Sequence, residues 1–223
     1  MRVWVTRAQP AAETTADRLR AMGHDPIVGP LLVVSPEAAV ADLTGVAALV
    51  FTSANAVPFF ASLTPRRDLV VYAVGAATAW AARAAGFSDV IASDGDVAAL
   101  AHRIIGDDIP DGLVLHPGAL EPAADLAALL TARGIEARNL PVYRTDAVAA
   151  LPPAVTTPPD AVLLHSPKAA RTLAGLIPAT WPEAMDALAL SPACGAPLVG
   201  HGFRRLEAAR RPSEADLLGL LAR

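Results

Sequence analysis

A single cysteine, Cys194, in 223 residues excludes an internal disulfide and any zinc cluster built on cysteine. By type it reads as a small, partly buried side chain. The histidines, His24, His102, His116, His165 and His201, never fall at the spacing of a local zinc pair, and no HExxH occurs, so no metal site is expected. The GxGxxG, P-loop and GxSxG motifs are missing too, which removes the loops that dinucleotide, P-loop nucleotide and α/β-hydrolase chemistry require. Eighteen basic residues against twenty-two acidic ones give a net charge of −4. No general positive field therefore exists to attract nucleic acid or an anionic membrane, and an anionic ligand has to be held by local donors. No apolar run approaches the roughly 20 residues needed to cross a bilayer. The opening Met1–Arg7 lacks an apolar h-region and reads as a strand rather than a signal peptide, so a cytoplasmic location is expected.

What the chain does contain is well-filled core material, with 53% hydrophobic and 18% charged residues. It also repeats itself. Val3–Thr6, a helical stretch ending at Gly23 and Pro26–Val34 reappear as Val114–His116, a stretch ending at Gly134 and Ala137–Tyr143, with Pro30 answering Pro141 (141 − 30 = 111). The segment Phe51-Thr52-Ser53-Ala54-Asn55-Ala56 is matched by Leu164-His165-Ser166-Pro167-Lys168-Ala169 (166 − 53 = 113), and Gly86-Phe87 by Gly202-Phe203 (202 − 86 = 116). A slowly growing offset implies duplication with small loop insertions. Two copies of one unit would enclose a cleft, a preferred place for a ligand.

Short β-branched runs predict strands near 2–6, 27–33, 47–52, 70–74 and 89–92, then near 113–116, 137–142, 160–164, 187–190 and 205–208, separated by Ala/Leu-rich helical stretches. This alternation predicts parallel sheets covered by helices, five strands per copy, in the manner of a flavodoxin-like doubly wound domain. Ligands of such domains lie beyond the carboxyl ends of the strands. Ser166-Pro167 and Ser191-Pro192 predict helix starts with a hydroxyl cap before a proline. Ser53 predicts a similar start, although Pro58 allows the helix to begin at Asn55 instead, and Pro197 raises the same question after Ser191. The joints near 31–37 and 143–153 leave two topologies open, sequential domains or a chain that crosses over and returns.

The residues just after strands are rich in hydroxyls: Thr6, Thr52, Ser53, Thr78, Ser166 and Ser191, with the amide of Asn55. Beside free N–H groups at helix starts they suit carboxylates; read locally, they are only helix caps. Lys168, the one lysine against seventeen arginines (18 − 1 = 17), stands in the first turn of a predicted helix, where a cation opposes the helix dipole. Lys168 and Arg7 each read either as ligand-binding cations or as surface residues. Tyr143 reads either as a packing residue or as a general acid, since phenols are protonated at neutral pH.

Together these pieces resemble the uroporphyrinogen-III synthase family over the whole chain. The resemblance is carried by Val5-Thr6-Arg7, Phe51-Thr52-Ser53-Ala54-Asn55-Ala56-Val57, Val74-Gly75-Ala76-Ala77-Thr78-Ala79 leading to Gly86-Phe87, Val142-Tyr143-Arg144-Thr145, Ser166-Pro167-Lys168-Ala169 and Arg211-Pro212-Ser213-Glu214 before Leu217-Leu218. It implies two flavodoxin-like doubly wound domains joined by a two-stranded connection, 1–34 with 147–223 forming one and 37–143 the other. It implies a cyclising lyase (a hydro-lyase) of tetrapyrrole biosynthesis, on the route to haem and cobalamin. The enzyme closes hydroxymethylbilane to uroporphyrinogen III with inversion of the terminal ring through a spiro intermediate, and uses no cofactor or metal. The substrate is a linear tetrapyrrole bearing many carboxylates, and a monomer is expected. Tyr143 matches the family's tyrosine as proton donor; Thr52, Ser53, Thr78 and Ser166 match its binding positions, with Thr6, Arg7, Asn55 and Lys168 as further contacts. One departure is Cys194, which stands where the first repeat has Thr78 (78 − 75 = 194 − 191 = 3). The rival readings are a two-lobed sensor domain and a degenerate synthase that binds tetrapyrroles without turnover.

Overall fold

The computed structural model describes residues 1–93, 97–107, 112–122 and 124–222. Along the chain the elements are β1 (Arg2–Val5), α1 (Ala11–Ala21), β2 (Asp25–Val28), β3 (Leu32–Pro36), β4 (Val46–Phe51), α2 (Ala56–Leu63), β5 (Val70–Val74), α3 (Gly75–Ala84), β6 (Val90–Ser93) and α4 (Val97–Gly106). They continue as β7 (Leu113–Ala119), α5 (Leu126–Thr131), β8 (Ala137–Ala147), β9 (Ala161–Leu164), α6 (Pro167–Leu176), β10 (Asp186–Ala189), α7 (Pro192–Gly195), β11 (Arg205–Ala208) and α8 (Glu214–Leu218). The chain forms two units, Met1–Val33 with Asp146–Arg223, and Val34–Thr145. Among the described residues no helix is long and apolar enough to cross a membrane.

The first unit holds a five-stranded sheet in the order β11-β10-β9-β1-β2, all of it parallel. Counted along this unit's own chain, the order is 2-1-3-4-5, that of a doubly wound α/β sheet. Strand alternation explains its two cores, since successive side chains point to opposite faces. Val3, Val5, Ala161, Leu163 and Leu188 join α1 and α8 on one face. Trp4, Val162, Leu164, Ala187 and Ala189 join α6 and Cys194 of α7 on the other.

The second unit holds six strands in the order β3-β8-β7-β4-β5-β6, with β8, β7, β4, β5 and β6 paired in parallel. Counting from β7, the five strands from β8 to β6 again run 2-1-3-4-5, so the same order is reached with the chain entering at a different strand. Leu49, Phe51, Val71 and Leu115 pack with α2 and Ala82 of α3, and Ala48, Val50, Tyr72 and Val114 with α4 and α5.

The expected strand near 27–33 is a correction. It is two strands, β2 in the first sheet and β3 in the second. Gly29 and Leu31 still donate to Val5 and Thr6 at 3.1 and 2.9 Å, but Pro30 between them has no N–H to give. A Cβ on Gly29 would stand 2.8 Å from Trp4 Nε1, so glycine allows the close approach there. Five strands per copy is likewise corrected, because β3 gives the second sheet a sixth.

Candidate functional site

In a 2-1-3-4-5 sheet the strand order reverses between the first and third strands, and ligands favour the crevice beyond their carboxyl ends. That point lies between β1 and β9 in the first unit and between β7 and β4 in the second.

In the first unit the reversal point is filled by an ionic cluster. Glu214, the first residue of α8, accepts from Thr15 Oγ1 at 2.6 Å and pairs with Arg7 Nη1 at 3.1 Å and with His165 Nε2 at 3.0 Å. Burial alone would raise its pKa, but the hydrogen bonds from His165 and Thr15, then the charges of His165 and Arg7, hold it down at about 2. Arg7 is pulled below its ordinary value by burial, against the support of Glu214. His165 Nδ1 is buried and has no partner among the described residues. Thr6 is fully buried and donates to the Leu163 carbonyl at 2.6 Å. Ser166 caps α6 by accepting from Ala169 N at 3.1 Å, with Pro167 opening the helix. Lys168 sits in that first turn, half-buried. Ser191 caps the short α7 and also donates to Cys194 Sγ at 3.3 Å; Pro197 falls in the 3-10 turn that follows. Ser213 caps α8.

The second unit differs. Phe51 ends β4, Thr52 and Ser53 follow half-buried, and α2 begins at Ala56 with Asn55 in the capping position but no side-chain capping bond. Ser53 Oγ instead accepts from Asn55 N at 3.3 Å. α3 starts with no intervening loop after β5 because Gly75 adopts φ +72°, and no side chain caps it either. Thr78 lies three residues into α3 and is buried. At the start of α2, Ala56 N and Val57 N donate to the Ser53 and Ala54 carbonyls at 3.1 and 3.3 Å and Pro58 has no N–H, so it is α3 that presents N-terminal N–H groups engaged by no side-chain cap, the local requirement for an anion site.

Behind Thr52 runs a polar chain. Thr52 Oγ1 is 3.0 Å from His116 Nε2, His116 Nδ1 is 2.8 Å from Asn139 Oδ1, and Asn139 Nδ2 donates to Asp125 Oδ1 at 2.8 Å. Asp125 also caps α5 through Ala128 N at 3.1 Å. His116 is 2% exposed, and burial pushes its pKa down in spite of Asn139 and Asp125. Tyr143, on β8 at the register of Ala119, is 7% exposed and stacks on Phe59 with ring centroids 5.9 Å apart. Nothing among the described residues hydrogen-bonds its hydroxyl. The described residues contain no group of three His, Cys, Asp or Glu side chains able to hold a metal ion.

The model of the family described as Uroporphyrinogen-III synthase HemD matches residues 13–219. The chain belongs to the uroporphyrinogen-III synthase family. This is an enzyme family, and a small molecule is the substrate of its members. The fold is shared with uroporphyrinogen-III synthetase from Helicobacter pylori, at 19% identity and a TM-score of 0.67, covering 99% of this chain and 97% of that one. It is also shared with a mutant uroporphyrinogen III synthase from Thermus thermophilus, at 18% identity and a TM-score of 0.53, covering 100% and 98%. A search of curated proteins finds no match.

Sequence reasoning singled out Thr52, Ser53, Asn55 and Thr78, which all lie on the β4–α2 connection or on α3, and Thr6, Arg7, Ser166 and Lys168, which all lie at the β1 and β9 ends. It missed Glu214, Thr15, His116, Asn139 and Asp125 as members of these sites. The usable signal for His116 was its place at the end of an apolar strand run, where a polar residue needs a partner.

Proposed function

We propose that this protein closes hydroxymethylbilane to uroporphyrinogen III as a cofactor-independent lyase of tetrapyrrole biosynthesis, working as a cytoplasmic monomer without nucleic-acid or membrane partners. The observation that carries this reading is the family match across 13–219. We read the two sheets as copies of one flavodoxin-like unit, 1–34 with 147–223 and 37–143, and their common strand order with a shifted entry point supports a duplication.

On this reading the substrate carboxylates meet the N-terminus of α3 beside Thr78, the Ser53 and Asn55 side chains ahead of α2, and the β1 and β9 ends, with Ser166 and Lys168. Arg7 lies beside that second place with its charge balanced by Glu214, and Thr6 supports it from within through Leu163. Tyr143 is the proton donor: the C–O bond of the hydroxymethyl group breaks, its oxygen takes the phenolic proton and leaves as water. The azafulvenium cation left behind is attacked by the substituted carbon of the terminal ring; the spiro intermediate breaks that carbon's old bond to the neighbouring methylene, re-forms it at the ring's free carbon, and the proton lost there restores the phenol. A positioned acid contributes about 10²–10⁴ in rate. Stacking on Phe59 fixes the ring without engaging its hydroxyl.

The test supplies freshly generated hydroxymethylbilane and resolves the oxidised products by isomer. Type III product is expected; type I alone, the outcome of spontaneous closure, would reject the reading. Tyr143→Phe is expected to slow turnover within that range while leaving the unfolding midpoint in place, and unchanged kinetics would remove Tyr143 from the mechanism.

A further inference from the structure

The polar chain behind Thr52 fixes the direction of every hydrogen bond in it. Asp125 accepts from a backbone N–H, and its pKa is held below the carboxylate range, first by Asn139 and then by that N–H, so it is an acceptor. The group Asn139 turns toward it must therefore be the NH₂, which leaves Oδ1 facing His116 at 2.8 Å. A carbonyl oxygen only accepts, so His116 Nδ1 carries the ring proton. In a buried neutral ring Nε2 is then bare, and the Thr52 hydroxyl, 3.0 Å away, must donate to it.

We infer that His116 is a positioning residue that holds the Thr52 hydroxyl proton inward, so that Thr52 can only accept from a ligand and selects a pyrrole N–H rather than a carboxylate. Thr52 is half-buried at the reversal point of the second sheet, the place where ligands of such sheets bind. The choice of a tetrapyrrole rests on the function proposed above; the polarity of the hydroxyl does not. A carboxylate brought to Thr52 would set acceptor against acceptor, whereas the start of α3, which no side chain caps, offers N–H donors for it. The bilane's carboxylates and its pyrrole N–H groups would then be sorted to different parts of one strand edge.

Two measurements test this. In protein labelled with ¹⁵N-histidine, long-range proton–nitrogen correlation reads the tautomer of each ring, and His116 is assigned by elimination through substitutions at the other four histidines. The Nδ1–H tautomer with a bare Nε2 is expected at neutral pH; an Nε2–H or doubly protonated ring overturns the inference. The ligand is tested by calorimetry with a methyl-terminated bilane, which keeps the pyrrole N–H and carboxylate groups but has no leaving hydroxyl. Thr52→Val is expected to bind about tenfold more weakly, the scale of one hydrogen bond, and Thr52→Ser to retain the affinity. Unchanged affinity in Thr52→Val, or no binding by the parent protein, overturns the ligand assignment. Binding that follows this pattern in a protein that makes only type I product would reject the synthase and leave the assignment standing.

Discussion

The reversal points of the two sheets solve one problem in opposite ways. In the first unit the groups at the crevice between β1 and β9 are paired internally apart from His165 Nδ1: Glu214 gathers Arg7, Thr15 and His165, and Ser166, Ser191 and Ser213 occupy the starts of α6, α7 and α8. In the second unit the polar chain from Asp125 to Thr52 is neutral from Asn139 onward, and α2 and α3 start without side-chain caps. The lesson is that strong local helix signals mark where a helix is already complete. The unit with the weaker signals keeps donors for something else.

The comparison breaks most visibly at Glu214. Glu214→Ala leaves Arg7 without a counter-charge and Thr15 and His165 Nε2 without their hydrogen-bond partner, at a cost of about 3 kcal/mol, less where Arg7 reaches solvent. Asp125→Ala removes one cap and the anchor of Asn139, a smaller loss because Asp125 is exposed to water. Urea midpoints of the two variants should keep that order, and equal losses would dissolve the contrast between the units.

Acid separates the units next. Glu214, held down at about 2 from 4.5, stabilises the fold fully above about 4.5 and loses that contribution as pH falls through about 2. His116 acts earlier on the way down. Its folded value lies below the ordinary 6.5, so the unfolded chain binds the extra proton first and stability declines as pH drops below about 6.5. Unfolding free energies across pH 7 to 3 should show the later decline vanish in Glu214→Gln and the earlier one persist.

The smallest effect sharpens the contrast in caps. Ser166→Ala should cost about 1 kcal/mol, because its hydroxyl serves Ala169 N. Asn55→Ala, which loses no capping bond, should change the unfolding midpoint within error and weaken ligand binding instead. A stability loss at Asn55 equal to that at Ser166 would mean that the Asn55 side chain caps α2 after all.

Much of the fold was legible in short-range pattern. Alternating apolar runs located the strands, and the Ser-Pro pairs located α6 and α7 because cap and first helical residue are adjacent in sequence. The strand near 27–33 was misread because its apolar run continues through Gly29-Pro30, and only the contact with Trp4 and the missing proline N–H show where one sheet ends. The site divides the same way. Hydroxyls after strands announce themselves, whereas Thr52 and His116 are 64 residues apart, His116 and Asn139 are 23 apart, and His165 and Glu214 are 49 apart, separations that no local spacing rule detects. Glu214 belongs to the terminal Arg211-Pro212-Ser213-Glu214 motif, yet its chemistry comes from Arg7, Thr15 and His165, all distant in sequence.

The division of the chain also orders events during synthesis. Domains that are sequential can form one after another as they leave the ribosome. Here Arg2 of β1 must find Asp160, 158 residues later, and β2 has its neighbour only in β1. Every strand of the inner unit is made by Ala147, while the apolar Val3-Trp4-Val5, translated before it, waits for β9 to give it a second edge. The inner unit can therefore mature before the one that encloses it in sequence, and β1 is the strand longest in need of a chaperone.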